Sequence, residues 1–271
     1  LSIRRQRQMC IRDRVHMELG LSGKTAVVTG GAKGFGRAVC RVLAEEGANV
    51  VMNYRSGKDE AEALIRQMNQ ECPGKGFGFQ GDMMEESDRK GLFLAACEQF
   101  GGADILVNNA ASWTTSMAAK MPEEDFRRVL EMNLTVPFLL SQKLICHLTE
   151  SGKKGSILNV VSKAGIMGSK RNHSHYASSK AGLIGLTKSL ARETAEYGIT
   201  VNAIAPGYMK TDMLMKSFKD KKDEEEQNKK IPIGRIADPR EVANAAVFLV
   251  SERASYFTGI TFDATGGMLM R

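Results

Sequence analysis

Thr25-Ala26-Val27-Val28-Thr29-Gly30-Gly31-Ala32-Lys33-Gly34-Phe35-Gly36 is an apolar run followed by a glycine-rich turn, and a helix-like segment continues from 37 to 46. Strand, glycine turn and helix in that order open a βαβ unit. Glycines let the chain turn tightly and let an anion approach the helix N-terminus. There, unpaired N–H groups and the helix dipole favour negative charge. The spacing is Gly-x-x-x-Gly-x-Gly, not Gly-x-Gly-x-x-Gly. Alone, such a turn also fits a structural loop. Its place after a first strand and before an amphipathic helix points to a dinucleotide pyrophosphate.

Outward from this turn, strand-like apolar runs recur at 25–29, 49–54, 76–80, 105–108, 156–161, 200–205 and 259–262. Helical stretches separate them at about 34–46, 58–70, 85–99, 122–150, 175–197 and 239–251. Alternating strands and helices predict an α/β fold: a Rossmann-type doubly wound parallel sheet with helices on both faces. No internal repeat or linker divides the chain. With 271 residues and 42% apolar content, it can bury one large core.

No run of 18 apolar residues occurs, so no membrane span is expected. Cys10, Cys40, Cys72, Cys97 and Cys146 are odd in number and lack Cys-x-x-Cys spacing. They read as reduced thiols of a cytoplasmic protein. His173 and His175 lack an evident third ligand, so no metal site is expected.

The formal charge is +7. Residues 1–16 hold five arginines against one acid, a net of +4, which leaves +3 for the body. That is too little for a dedicated nucleic-acid stripe, so no nucleic-acid partner is expected. Met17-Glu18-Leu19-Gly20 reads as a conventional start. Residues 1–16 are expected to be a non-native or disordered leader, and an arginine-rich targeting presequence is the competing reading. Residues 17–271 are then one domain.

Tyr176 and Lys180 in His175-Tyr176-Ala177-Ser178-Ser179-Lys180 stand four residues apart, on one face of a helix. A free phenol titrates near pH ~10, too high for acid–base work at neutrality. A nearby cation favours the phenolate. Lowering the pKa by about three units takes about 4 kcal/mol of differential stabilisation. The spacing alone also suits an ordinary surface pair.

Five further sites follow in order: Asp82 after the third strand, Asn108-Asn109-Ala110-Ala111 after the fourth, Asn133 in a helix, Ser162 after the fifth, and Pro206-Gly207 with Thr211 after the sixth. Together with the glycine turn and Tyr176/Lys180, they resemble the short-chain dehydrogenase/reductase family from about residue 21 to 267. The resemblance implies seven strands in the order 3-2-1-4-5-6-7. It also implies an oxidoreductase that moves a hydride between a nicotinamide and a carbonyl or secondary alcohol, and homotetramers or homodimers packed through the helices at 122–150 and 175–197.

The resemblance implies residue roles too. Gly30, Gly34, Phe35 and Gly36 hold the cofactor turn. Asp82 and Met83 meet the adenine, while Asn109 and Ala110 brace the sheet beside the cofactor. Pro206, Gly207, Met209 and Thr211 orient the nicotinamide. Tyr176 donates the proton, Lys180 lowers its pKa and holds the ribose, and Ser162 bonds the substrate oxygen. Ser162 precedes Tyr176 by 14 residues, one more than the usual family spacing, and Ala111 stands where Gly is common.

Asn133 carries a local argument. Pro137 has no N–H, so in a continuous helix the Asn133 carbonyl stays free. It could then hold the water of the family's proton relay; a structural bridge is the alternative.

The cofactor form follows from the second strand. An acid near its end would bond the ribose 2′-hydroxyl of NAD. Asn53 stands there instead, with Arg55 close by and Lys33 in the turn. Two cations and no acid predict NADP(H), although both could be plain surface charge.

The substrate is less legible. Ser112, Trp113, Met167, His173, His175 and Met213 are candidates for the pocket wall, and Lys170-Arg171-Asn172-His173 either recognises an anionic substrate or faces solvent. Residues 209–230 are expected to form a polar lid over the site. The overall pattern most resembles 3-oxoacyl-carrier-protein reductases and related ketoreductases. Sugar or steroid alcohol dehydrogenases, and a silent NADP-binding scaffold, are the alternatives.

Overall fold

The computed structural model describes residues 18–169 and 172–270. The leader and the Lys170–Arg171 pair lie outside the described residues, as does the side chain of Met213.

Seven parallel strands form one sheet: β1 (Thr25–Val28), β2 (Asn49–Tyr54), β3 (Gly76–Gln80), β4 (Ile105–Asn108), β5 (Gly155–Val160), β6 (Ile199–Pro206) and β7 (Thr261–Ala264). Their order is β3-β2-β1-β4-β5-β6-β7, the order expected. The inner strands read as unbroken apolar runs because both faces are covered. Ala26 and Val28 enter one core while Val27 enters the other. Ile105 and Val107 of β4 likewise part from Leu106.

The first core is closed by α1 (Gly34–Glu45), α2 (Lys58–Glu71) and, far along the chain, the helix Pro239–Leu249. The second is closed by α3 (Glu86–Phe100), the helix Val136–Ser151 and the helix Ser174–Thr194.

One expected helix is interrupted. The stretch 122–150 becomes α4 (Glu123–Leu130), a π-turn (Glu131–Thr135) and α5 (Val136–Ser151). Pro137 explains the break. It cannot donate to the Asn133 carbonyl, and the chain takes one extra residue per turn, with the Val136 N–H bonding the Glu131 carbonyl. In this i+5 register the carbonyl facing the missing proline donor is that of Met132. The helix runs on through this turn, but the strict α register on which a free Asn133 carbonyl depends does not hold there.

By length and composition the run Glu123–Ser151 could cross a membrane. Here it packs as a core element, with Leu140, Leu144 and Leu148 buried against the sheet. The remaining helices are α6 (Ala164–Met167), α7 (Ser174–Thr194), α8 (Asp212–Met215), α9 (Lys221–Lys229) and α10 (Pro239–Leu249). In α9 only Gln227 is buried, which fits a solvated helix, and Asp220 caps it by accepting from the Lys222 and Asp223 N–H groups.

Leu106 is fully buried at the middle of the sheet. Leu106→Ala is expected to lower unfolding free energy by about 2–5 kcal/mol, read by urea denaturation.

Candidate active site

The strand order reverses between β1 and β4, and a cleft of about 740 Å³ opens there at the carboxyl ends of the strands. Its upper wall is the glycine turn. Gly30 (φ 63°) and Gly34 (φ 53°) adopt left-handed backbone that side chains disfavour. A Cβ on Gly36 would run into the Gly30 carbonyl and the Asn109 amide. The Asn109 Nδ2 donates to the Thr29 and Gly30 carbonyls at 2.9 and 3.0 Å. Thr29 Oγ1 accepts from the N–H groups of Asn109 and Ala110, both at 3.0 Å. Thr29 thus ties the turn to the end of β4, a role its sequence position did not announce.

The α1 N-terminus behind this turn has no side-chain cap and no acid in its first turn. Its free N–H groups face an anion-sized cradle. Of the expected cofactor residues, Lys33, Phe35, Asn53, Arg55, Asp82, Met83, Ala110, Pro206, Gly207, Met209 and Thr211 line the same cleft as these glycines. Asn53 is engaged, however. Its Oδ1 accepts from Gly30 N–H at 3.4 Å, and its Nδ2 donates to the Gly81 carbonyl at 2.9 Å. Lys33 lies 2.9 Å from Glu60, and Arg55 lies 3.5 Å from Asp82. Asp82 also accepts from Met84 N–H at 3.0 Å.

On the opposite wall Ser162 follows β5 and Tyr176 projects from the first turns of α7. Their hydroxyls share a hydrogen bond. Lys180 is 2% exposed; its Nζ donates to the Val160 carbonyl at 2.7 Å and lies 5.8 Å from the Tyr176 ring centroid. Burial draws this ammonium down to about 8. The tyrosine departs from expectation. Among the chain's own groups burial raises its pKa, and the Ser162 hydrogen bond offsets only part of that.

Asn133 does not line the cleft; it is fully buried beneath it. Its Oδ1 accepts from Ser112 N–H at 2.8 Å, and its Nδ2 donates to the Ser112 carbonyl at 2.9 Å and to Ser179 Oγ at 3.1 Å. Ser179 Oγ in turn donates to the Tyr176 carbonyl at 2.8 Å. Asn133 therefore brackets the substrate-side loop to the tyrosine helix.

A family model described as enoyl-(acyl carrier protein) reductase matches residues 30–269. A solved short-chain type dehydrogenase/reductase from Mycobacterium marinum superposes with a TM-score of 0.85 at 30% identity, covering 94% of this chain and 98% of that one. This chain belongs to the short-chain dehydrogenase/reductase family. A 3-oxoacyl-(acyl-carrier-protein) reductase from Staphylococcus epidermidis is 38% identical over 91% of this chain and 99% of its own length. A 3beta-hydroxysteroid dehydrogenase 1 from Eggerthella lenta is 40% identical over 92% of this chain and 95% of its own.

As a short-chain dehydrogenase/reductase the protein is an oxidoreductase, and its substrate end can be read against that chemistry. Ser112 and Trp113 line the cleft as expected. Met167 is exposed outside it, and neither histidine lines it. Among the described residues no group of three or more His, Cys, Asp or Glu could hold a metal. Val160, Val161, Met84, Met132 and Arg128 line the cleft without having been singled out in the sequence. They carry no motif, and only the folding of separate elements brings them there.

The Lys180 shift has a testable sign. Its folded pKa of about 8 lies below the unfolded value of ~10.4, so between these the unfolded chain binds more protons. Stability then rises with pH across that window. Relative to Lys180→Met, the wild type should gain about 2 kcal/mol from pH 8 to 10 in urea denaturation. A flat difference would show that the ammonium is hydrated.

Proposed function

We propose that the protein is an NADP(H)-dependent ketoreductase of the 3-oxoacyl-reductase type, interconverting a carbonyl compound and its secondary alcohol. The observation that supports this best is the hydrogen bond shared by the Ser162 and Tyr176 hydroxyls across the cleft from an uncapped helix N-terminus. When bound, the dinucleotide supplies or accepts the hydride. The chain's residues do the rest.

A carbonyl oxygen that gains negative charge needs a proton and polarising donors. Ser162 donates one hydrogen bond to it, and Tyr176 gives the proton in reduction and takes it in oxidation. Lys180, at about 8, can exchange a proton near neutrality, and it would hold the ribose of the bound cofactor. Asn133 keeps Tyr176 and the Ser112 loop in register. Gly30, Gly34, Phe35 and Gly36 cradle the pyrophosphate, Asp82 and Met83 border the adenine, and Pro206, Gly207, Met209 and Thr211 face the carboxamide.

The preference for NADP rests on Lys33 and Arg55. Each pairs with a single carboxylate, and the Lys33 and Arg55 side chains are 57% and 66% exposed. A dianionic 2′-phosphate competes well for such cations. Asn53 places an amide rather than an acid at the end of β2.

Residues 17–271 form the working domain, with 209–230 as its lid; Lys210 and Glu224 already pair at 3.4 Å within that segment. We place the protein in the cytoplasm, where Cys40, Cys72, Cys97 and Cys146, all free thiols, stay reduced. We also infer a homotetramer or homodimer through α4, α5 and α7. Phe126 and Phe138 are exposed on the first two of these.

Tyr176→Phe keeps the ring and removes the proton. Turnover of a simple 3-oxoacyl thioester with NADPH should fall by about 10²–10⁴ while NADPH binding persists. Near-normal turnover would remove Tyr176 from its role. Replacing Lys33 and Arg55 by Ala should raise the KM for NADPH at least about tenfold, with little change for NADH. Equal effects on both cofactors would refute the 2′-phosphate assignment.

A further inference from the structure

The loop between β4 and α4 carries Trp113, the only tryptophan in the chain. Trp113 is 44% exposed in the cleft and meets Tyr176 edge-on, with ring centroids 6.3 Å apart. A row of contacts fastens this loop to the segment that leads into Tyr176. Thr114 Oγ1 and His175 Nε2 are 2.8 Å apart, and Thr115 Oγ1 and His173 Nε2 are 2.9 Å apart. Ser116 N–H donates to the Asn172 carbonyl at 3.0 Å. On the other side of Trp113, Ser112 is gripped through both its backbone groups by Asn133. Trp113 is thus the one residue of 112–116 whose side chain and backbone take no part in these bonds, and it lines the cleft beside Tyr176.

His175 is the centre of this clamp. It is fully buried directly before Tyr176, and its Nδ1 finds no partner among the described residues. Among the described residues Thr114 is therefore its one hydrogen-bond partner. A buried polar group holds hard to a single partner, because losing it leaves the group unsatisfied.

We propose that His175 is a positioning residue. Through Thr114 it sets Trp113 against Tyr176, and Trp113 forms the wall on which a bulky apolar carbonyl substrate rests. This rests on the ketoreductase reading and deepens it. An indole face beside the proton donor favours flat or aliphatic ring ketones over sugars, since its contribution is apolar area.

The test uses Thr114→Val and Thr114→Ser in the full chain, with 2-decalone as the bulky ketone. Emission and acrylamide quenching report on Trp113 alone. Thr114→Val leaves both nitrogens of His175 unpaired. It should shift emission to the red, increase quenching and raise the KM for 2-decalone about tenfold, the equivalent of one lost hydrogen bond. Turnover at saturation and the Kd for NADPH should stay within about threefold. Thr114→Ser retains the hydroxyl and should restore all of these. A merely structural role for Thr114 would lower Tm and kcat together without this split.

Should Thr114→Val fail to fold, Trp113→Leu tests the wall directly and should raise the same KM without altering the NADPH Kd. Unchanged KM and emission in Thr114→Val overturn the clamp while leaving the reductase reading intact. A red shift with unchanged KM overturns the wall. If the wild type oxidises NADPH with no carbonyl compound, the reductase reading falls with the wall, and the fluorescence arm still decides the clamp.

Discussion

The site is organised around an ammonium taken out of water. Lys180 sits almost wholly inside the protein, with its Nζ on the Val160 carbonyl. Such a charge is costly to bury and holds only where a donor–acceptor contact repays the loss of hydration. That contact joins α7 to the end of β5. Ser162 lies two residues beyond Val160, and Tyr176 lies one helical turn before Lys180, so one buried bond brings both hydroxyls to the same wall. Gly165 makes room for it: a Cβ there would meet the Lys180 carbonyl carbon at 2.7 Å. The same burial brings the ammonium into a range where it can exchange protons.

The opposite wall depends on a topological constraint. Because β4 pairs with the far side of β1, the chain leaves these two neighbouring strands toward opposite faces, and a cleft opens between them. Thr29 and Asn109 lock the two strand ends together, and the glycines leave their backbone bare. An anion cradle and an acid–base wall thus face each other across one cleft. Neither could be built on a single element.

Much of this was legible in the sequence. The inner strands are apolar at successive positions because each is covered on both faces, and that pattern locates them to within a residue or two. The glycine turn and the Tyr176/Lys180 spacing were legible because each is local: a few backbone angles in one case, one helical turn in the other. Where the local reading failed, a distant partner was responsible. The fate of the Asn133 carbonyl turned on whether Pro137 ended a bond or shifted the register, and the helix chose a π-turn. Asn53 lines the cleft and is also held by Gly30 and Gly81, a pairing its place in the second strand does not announce. His173 and His175 looked like pocket wall and instead hold a loop.

The sequence by itself therefore determined the strand and helix pattern, the family and the residues able to carry acid–base and phosphate chemistry, because those depend on short-range periodicity and on side-chain identity. Only the tertiary structure decided what each side chain faces. It turned Lys180 toward a carbonyl, let burial raise rather than lower the tyrosine pKa, and fastened Trp113 beside Tyr176. Burial and hydrogen-bond pairing are set between segments tens of residues apart, and no local pattern encodes which of several possible partners a polar group will meet.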